Sequence, residues 1–194
     1  MPHHRETAPH SRLRHWASRL ALLVASVSVV ATSQAISDDV FSEPYTGKPV
    51  SLTTEAPKAS IPLVMVATAS KSPDKLVEAE MKALVTARWT PADPSQTVSP
   101  VFRAVLREGG NDFSGPEGSS PLVAGDSVTM EIHTYLSRDC TMGTSCQWTT
   151  NLDLELQPNG AAGTVEVVWT ATGSAHVVDT SSTPKGFTVI VSEP

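Results

Sequence analysis

Residues 128–136 read V-T-M-E-I-H-T-Y-L, and residues 148–156 read W-T-T-N-L-D-L-E-L. In both segments most apolar side chains occupy every second position, with polar or charged side chains between them. Successive side chains of a β-strand point to opposite faces, so this alternation predicts two strands that each bury one face. A strand with one buried and one wet face is typical of an antiparallel sheet.

Two further strands are predicted downstream, over residues 164–172 and 187–192. The segment 158–160 reads P-N-G and predicts a turn, because Asn and Gly accept positive φ. The connections are too short to hold the crossover helices that a parallel sheet needs. These patterns predict an all-β protein: an antiparallel, immunoglobulin-like β-sandwich of about seven strands, preceded by a signal peptide.

The upstream sequence supplies more strands for the same core. Residues 61–68 are mostly apolar and β-branched, which favours a buried strand, and residues 101–107 alternate. Trp89, Trp148 and Trp169 fall on inward positions of their segments. They are therefore predicted to be core residues, which argues against a carbohydrate-binding platform built from them.

Residues 74–90 fit two periodicities. Ser72 and Pro73 could begin a helix, and good helix formers follow them. As a strand, the segment from Val77 to Trp89 places apolar side chains at alternate positions, with only Leu84 out of phase. Period two fits more positions, so a strand is predicted.

The N-terminus carries the three parts of a secretory signal peptide. An arginine-rich segment precedes an apolar run over residues 20–31, and residues 33–35 read S-Q-A, a small-x-small site. Cleavage is predicted after Ala35, with a secreted or periplasmic product of the general secretory route. The predicted organisation is residues 1–35 as signal peptide, 36–59 as an extended N-terminal tail and 60–194 as the β-sandwich domain.

The charge balance narrows the class of partner. The formal net charge is −6 at pH 7, and removal of the arginine-rich leader would make it more negative. An acidic surface argues against nucleic acid and anionic membranes as partners. The apolar run is shorter than the about 20 residues that a membrane span needs, so no span is expected in the mature chain.

Cys140 and Cys146 are the two cysteines of the chain. In an exported protein such a pair predicts one disulfide. Its expected role is local, fixing the connection over residues 137–145 between two strands. A redox or metal pair is the alternative, but the spacing matches neither a C-x-x-C motif nor a zinc motif.

The longest loop, residues 108–126, is the candidate interaction loop, since long loops in compact domains often carry function. Its glycines surround several acidic, amide and aromatic side chains. The candidate contact residues are Asn111, Asp112, Phe113, Glu117 and Asp126. Oxygen ligands on a loop could also bind Ca²⁺, although no EF-hand spacing is present.

His133 and Tyr135 form the candidate exposed strand face, because both lie on the polar side of their segment. His176 is the other histidine outside the leader. Neither histidine is part of a recognisable catalytic or metal-binding motif, so no catalytic residue, metal or cofactor is predicted.

The sequence favours an exported, non-catalytic module that binds a protein or cell-envelope component through a strand edge or the long loop. A structural or adhesion subunit that assembles with itself is the nearest alternative. The rival from another class is a hydrolase or metal-dependent enzyme using His133 or His176, which predicts that the two histidines share a cleft.

Overall fold

The computed structural model describes residues 35–109 and 115–194, and its described part is built from β-strands without a helix. The predicted signal peptide, residues 1–34 of it, lies outside the described residues. The strands are β1 (Val40–Phe41), β2 (Tyr45–Thr46), β3 (Val50–Thr53), β4 (Lys58–Thr68), β5 (Lys75–Pro91), β6 (Val101–Glu108), β7 (Gly118–Pro121), β8 (Ser127–Met142), β9 (Ser145–Gln157), β10 (Gly163–Val177) and β11 (Thr188–Ser192).

The strands form two antiparallel sheets that pack face to face, as predicted. In the first sheet β10 lies between β5 and the short strands β1, β2 and β3, and β8 forms the far edge. The second sheet has the order β11-β4-β9-β6-β7. The alternation seen in the sequence puts the apolar side of each sheet inward, where the two sides form one core. The three predicted tryptophans are all buried in it.

The connections between strands differ from the immunoglobulin-like order that was expected. Strands β3 to β10 pair as nested partners: β3 with β10, β4 with β9, β5 with β8 and β6 with β7. This is a long antiparallel ribbon rolled into two sheets, the order of an eight-stranded jelly roll. An immunoglobulin sandwich instead contains several hairpins within each sheet, whereas here β6–β7 is the one hairpin among the described strands.

The residues of 74–90 form β5, so the predicted strand is confirmed. β5 pairs along its whole length with β10 on one side and along most of it with β8 on the other. Two neighbouring strands therefore satisfy its backbone, and its apolar parity faces the core. Leu84, the residue out of phase, lies exposed on the outer face. Tertiary pairing thus overrides the helical preference of the segment.

The predicted connection over residues 137–145 is mostly strand, because β8 continues to Met142 and β9 begins at Ser145. The register shifts near Glu78: Val77 pairs with Cys140 and Ala79 with Leu136. Three residues of β8 therefore face one residue of β5, which is a bulge. This bulge explains why the alternation fails there.

Two turns join the sheets rather than neighbouring strands. The predicted turn at 158–160 is confirmed, with φ of 51° at Asn159 and 86° at Gly160. It leads from β9 in the second sheet to β10 in the first. The short connection between β8 and β9 likewise crosses from the first sheet to the second.

The segment predicted as an N-terminal tail contributes β1, β2 and β3, which lie in sequence along one side of β10. Its start is fixed by hydrogen bonds: the Ser37 amide donates to the Val177 carbonyl (3.0 Å), and the Val177 amide donates to Ser37 Oγ (2.9 Å). The number of strands exceeds the predicted seven because these short edge strands, and β7 in the long loop, carry little periodicity. No helix among the described residues is long and apolar enough to cross a membrane.

Candidate functional site

The outer face of the second sheet carries a concave pocket of about 610 Å³. Its walls come from β4, β6 and β9, together with the segment that precedes β7. The lining residues are Lys58, Ala59, Ser60, Arg103, Val105, Arg107, Glu117, Asp153, Leu154 and Glu155. We call this pocket the charged pocket. It lies beside the base of the long loop that was predicted to mediate interactions.

Strand register brings these side chains together. Glu155 of β9 pairs with Lys58 of β4 on one side and with Arg103 of β6 on the other. In the next outward row, Asp153 pairs with Ser60 and Val105. Directly opposite residues of one sheet face lie about 5 Å apart, so each row places acidic side chains between its neighbours.

Ion pairs hold the rim of the charged pocket. The Arg103 guanidinium grips Glu117 with two hydrogen bonds, Nε donating to Oε1 (2.7 Å) and Nη2 to Oε2. This two-point geometry is the strongest arrangement for an arginine–carboxylate pair. Lys58 Nζ lies 3.1 Å from Glu155 Oε1.

Asp153 accepts from two sides. Arg107 Nε lies 2.9 Å from its Oδ2, and Ser60 Oγ donates to its Oδ1 at 2.6 Å. Val105 forms the apolar floor beside it and is only 7% exposed, although it lies on the outer face of β6. The pocket thus combines a small apolar floor with a rim of alternating charges.

The hydrogen bonds between Arg103 and Glu117 keep both groups ionised. They raise the pKa of the Arg103 guanidinium and lower the pKa of the Glu117 carboxyl. The lining residues include three basic and three acidic side chains, so the rim is close to electrically neutral. Such a rim can hydrogen-bond a polar ligand as donor and as acceptor, but its residues include no nucleophile paired with a base.

A second, smaller pocket of about 260 Å³ lies on the outer face of the first sheet around His176. The His176 ring is held between two carboxylates, with Nδ1 2.8 Å from Asp39 Oδ1 and Nε2 3.2 Å from Glu78 Oε2. Because the carboxylates approach different ring nitrogens, this is a bridge between the N-terminal segment, β10 and β5. The described residues include no group of three or more side chains placed to hold a metal ion.

The predicted interaction loop is described in part. Asn111, Asp112 and Phe113 lie outside the described residues. Glu117 lies in the wall of the charged pocket, whereas Asp126 is exposed at a turn where its amide donates to the Val123 carbonyl (3.2 Å). The Ca²⁺ alternative for this loop remains a prediction.

His133 and Tyr135 lie side by side on the outer face of β8, with ring centroids 6.1 Å apart in an edge-on arrangement. Tyr135 is 69% exposed. His133 pairs with Lys82 of β5, whereas His176 pairs with Glu78, two strands away from β8. Strand spacing then separates the two histidines by about 13 Å along the strands and about 10 Å across them, so they do not share a cleft.

The basic and acidic residues of the charged pocket were missed as a site. Their signal is present in the sequence, because Arg103 and Arg107 lie on the polar parity of one segment and Asp153 and Glu155 on that of another. Only the strand order shows that these two segments are neighbours.

No protein-family model and no curated protein matches this sequence. Among solved structures, the chain is similar to one titled "Structure of infectious bursal disease virus Gx strain", with 14% identity and a TM-score of 0.33, covering 82% of this chain and 37% of that one. A second, from the Gt strain of the same virus, has 13% identity and a TM-score of 0.22, covering 76% and 42%. The chain spans less than half the length of either structure.

Proposed function

We propose that this protein is an exported, non-catalytic binding module that holds a protein or cell-envelope component at the charged pocket and the loop beside it. The observation that carries the proposal is the rim of paired charges around an apolar floor on an open sheet face. Export is supported by the leader pattern and by the disulfide between Cys140 and Cys146.

The chemistry of the rim favours a protein segment that carries both signs of charge. Lys58 and Arg107 each bind a carboxylate at present, and a ligand carboxylate can compete for either cation. A basic side chain of the same ligand can then bind Asp153 or Glu155. A polyanion such as nucleic acid would meet all three acidic residues and is disfavoured.

The floor adds specificity rather than charge. Val105 offers a small apolar contact, and the aliphatic stems of long basic side chains can extend such a surface. Exposed ion pairs contribute little to folding, which leaves them available for exchange with a partner. Binding at such a rim should weaken as salt concentration rises.

The test is to isolate partners from extracts of the native source at low salt, identify them, and measure the affinity of the purified pair. Arg107→Glu places a third acid beside Asp153 and should weaken binding at least tenfold. Arg88→Glu, an exposed arginine on β5 of the other sheet, is the matched control and should bind normally. Equal affinity for the wild type and both variants would show that the charged pocket is not the binding site.

A further inference from the structure

β11 is an open edge of the second sheet. It pairs with β4 on one side, and no described residue forms a backbone hydrogen bond with it on the other. Its five residues read T-V-I-V-S and contain no charge, proline or glycine. Such a segment is a template for pairing with another strand.

The other sheet edges carry protective features. Pro44, Gly47 and Pro49 break the N-terminal edge into three short strands, and Pro121 ends the four-residue β7. Along β8 the backbone of Gly115 packs against the chain, since a Cβ on Gly115 would lie 1.7 Å from the His133 carbonyl oxygen. Proline, short strands and covering segments are the usual means of preventing edge-to-edge association. β11 has none of these features apart from its modest length.

The pattern of β11 is complementary to itself. In an antiparallel pair centred on Ile190, each Ile190 faces the other, Val189 faces Val191, and Thr188 faces Ser192. Every position therefore meets a residue of its own kind on its own face of the sheet. Val189 and Val191 are buried, whereas Ile190 is 59% exposed on the outer face next to Val66 of β4.

The flanking charges also match. Lys185 precedes β11 and Glu193 follows it, and both are outside the strand itself. Antiparallel pairing brings Glu193 of one copy towards Lys185 of the partner subunit, so opposite charges meet at both ends. A parallel pair would instead place like charges side by side.

We propose that β11 pairs with β11 of a second copy of this chain, joining the two five-stranded second sheets across a two-fold axis. The contact is isologous, so it uses the same edge on both copies and closes at the dimer. Because the remaining edges are protected, association stops at two copies. Ile190 and Val66 of each copy form a continuous apolar row across the joint.

Sedimentation equilibrium of the purified protein tests the proposal. The wild type should be a dimer at micromolar concentration. Ile190→Lys should raise the dimer dissociation constant at least tenfold, because two like charges would face each other at the axis. Val168→Lys is the matched control: Val168 is 52% exposed on the outer face of β10, and the variant should stay dimeric. Ile190 is exposed, so unchanged circular dichroism should show that its variant still folds.

Cysteine cross-linking tests the register. Ile190→Cys should form a disulfide-linked dimer, because directly opposite side chains lie within disulfide reach, whereas Thr188→Cys should not. Mixing Ile190→Lys with Ile190→Glu should restore a mixed dimer. A wild type that stays monomeric at high micromolar concentration, or a dimer unaffected by Ile190→Lys, would overturn the proposal.

The dimer does not depend on the proposed binding function. The charged pocket uses the Lys58 end of β4, whereas β11 pairs with the other end, Val64–Thr68. Arg107→Glu should therefore leave the dimer intact, and Ile190→Lys should leave pocket binding intact. The two proposals can fail separately.

Discussion

The disulfide between Cys140 and Cys146 joins the two sheets, since Cys140 lies near the end of β8 in the first sheet and Cys146 near the start of β9 in the second. The Cα atoms are 6.0 Å apart across this crossing. The bond therefore closes one end of the sandwich, whereas the sequence suggested only a local constraint on a loop.

Removal of this disulfide should lower stability by about 2 kcal/mol, the loop-entropy value for so short a separation. The double variant Cys140→Ala with Cys146→Ala avoids burying a polar group at Cys146, which is buried. Urea unfolding under oxidising conditions measures the loss. The wild type with reduced cysteines should unfold at nearly the same urea concentration as the variant, and an unchanged midpoint in both would refute the role given to the bond.

Gly47→Ala should destabilise the protein by about 1–3 kcal/mol, the usual cost of overpacking. A Cβ on Gly47 would lie 1.8 Å from Cζ2 of the Trp169 indole, which is itself buried. Thermal unfolding measures the effect. Gly143→Ala is the control, because a Cβ there would meet nothing within 4 Å, and equal melting temperatures for the two variants would contradict the contact.

The stabilising effect of the Arg103–Glu117 pair should disappear in acid. Hydrogen bonding to Arg103 lowers the pKa of Glu117 in the folded state. The pair therefore stabilises the fold above the unfolded glutamate pKa, near about 4.3, and this contribution is lost as pH falls through the lower folded pKa. Unfolding of the wild type and Glu117→Gln should differ slightly at pH 7 and coincide at the acid end. The control Glu131→Gln, on the exposed face of β8, should show no such convergence.

His176→Ala should loosen the N-terminal segment. His176 bridges Asp39 and Glu78, while the amides of Ser37 and Ser42 donate to carbonyls of β10. Loss of one side-chain hydrogen bond of about 1 kcal/mol should speed amide exchange at these two serines about fivefold. Hydrogen-exchange mass spectrometry measures this, and His133→Ala should leave the segment unchanged. Unaltered exchange in His176→Ala would show that the bridge does not hold the segment.

The sequence predicts the strands better than their neighbours. Alternation identifies which side of a segment is apolar, so the inward residues of β5, β8, β9, β10 and β11 were correct. It carries no information about which sheet a strand joins. The turn at Asn159 therefore looks like a hairpin turn, although it connects the two sheets.

The charged pocket could not be predicted for the same reason. Lys58, Arg103 and Asp153 come from three segments that are up to 95 residues apart in the chain, as their numbering shows. Each looks like an ordinary solvent-facing residue in its own strand. Val105 gives the clearest case: it was predicted on the outer face, and its burial comes from neighbouring side chains that only the sheet order supplies.

The nested strand order also sets when the domain can fold. Val50 pairs with Val167, and Lys58 with Glu155, so the first and last parts of the domain are partners. β10 is an interior strand of the first sheet, and that sheet cannot be assembled before this strand exists. Contacts so distant in sequence make folding slow, because long loops must close before the pairing stabilises them. A chain emerging from the ribosome therefore stays without its native core until nearly all of it has been synthesised.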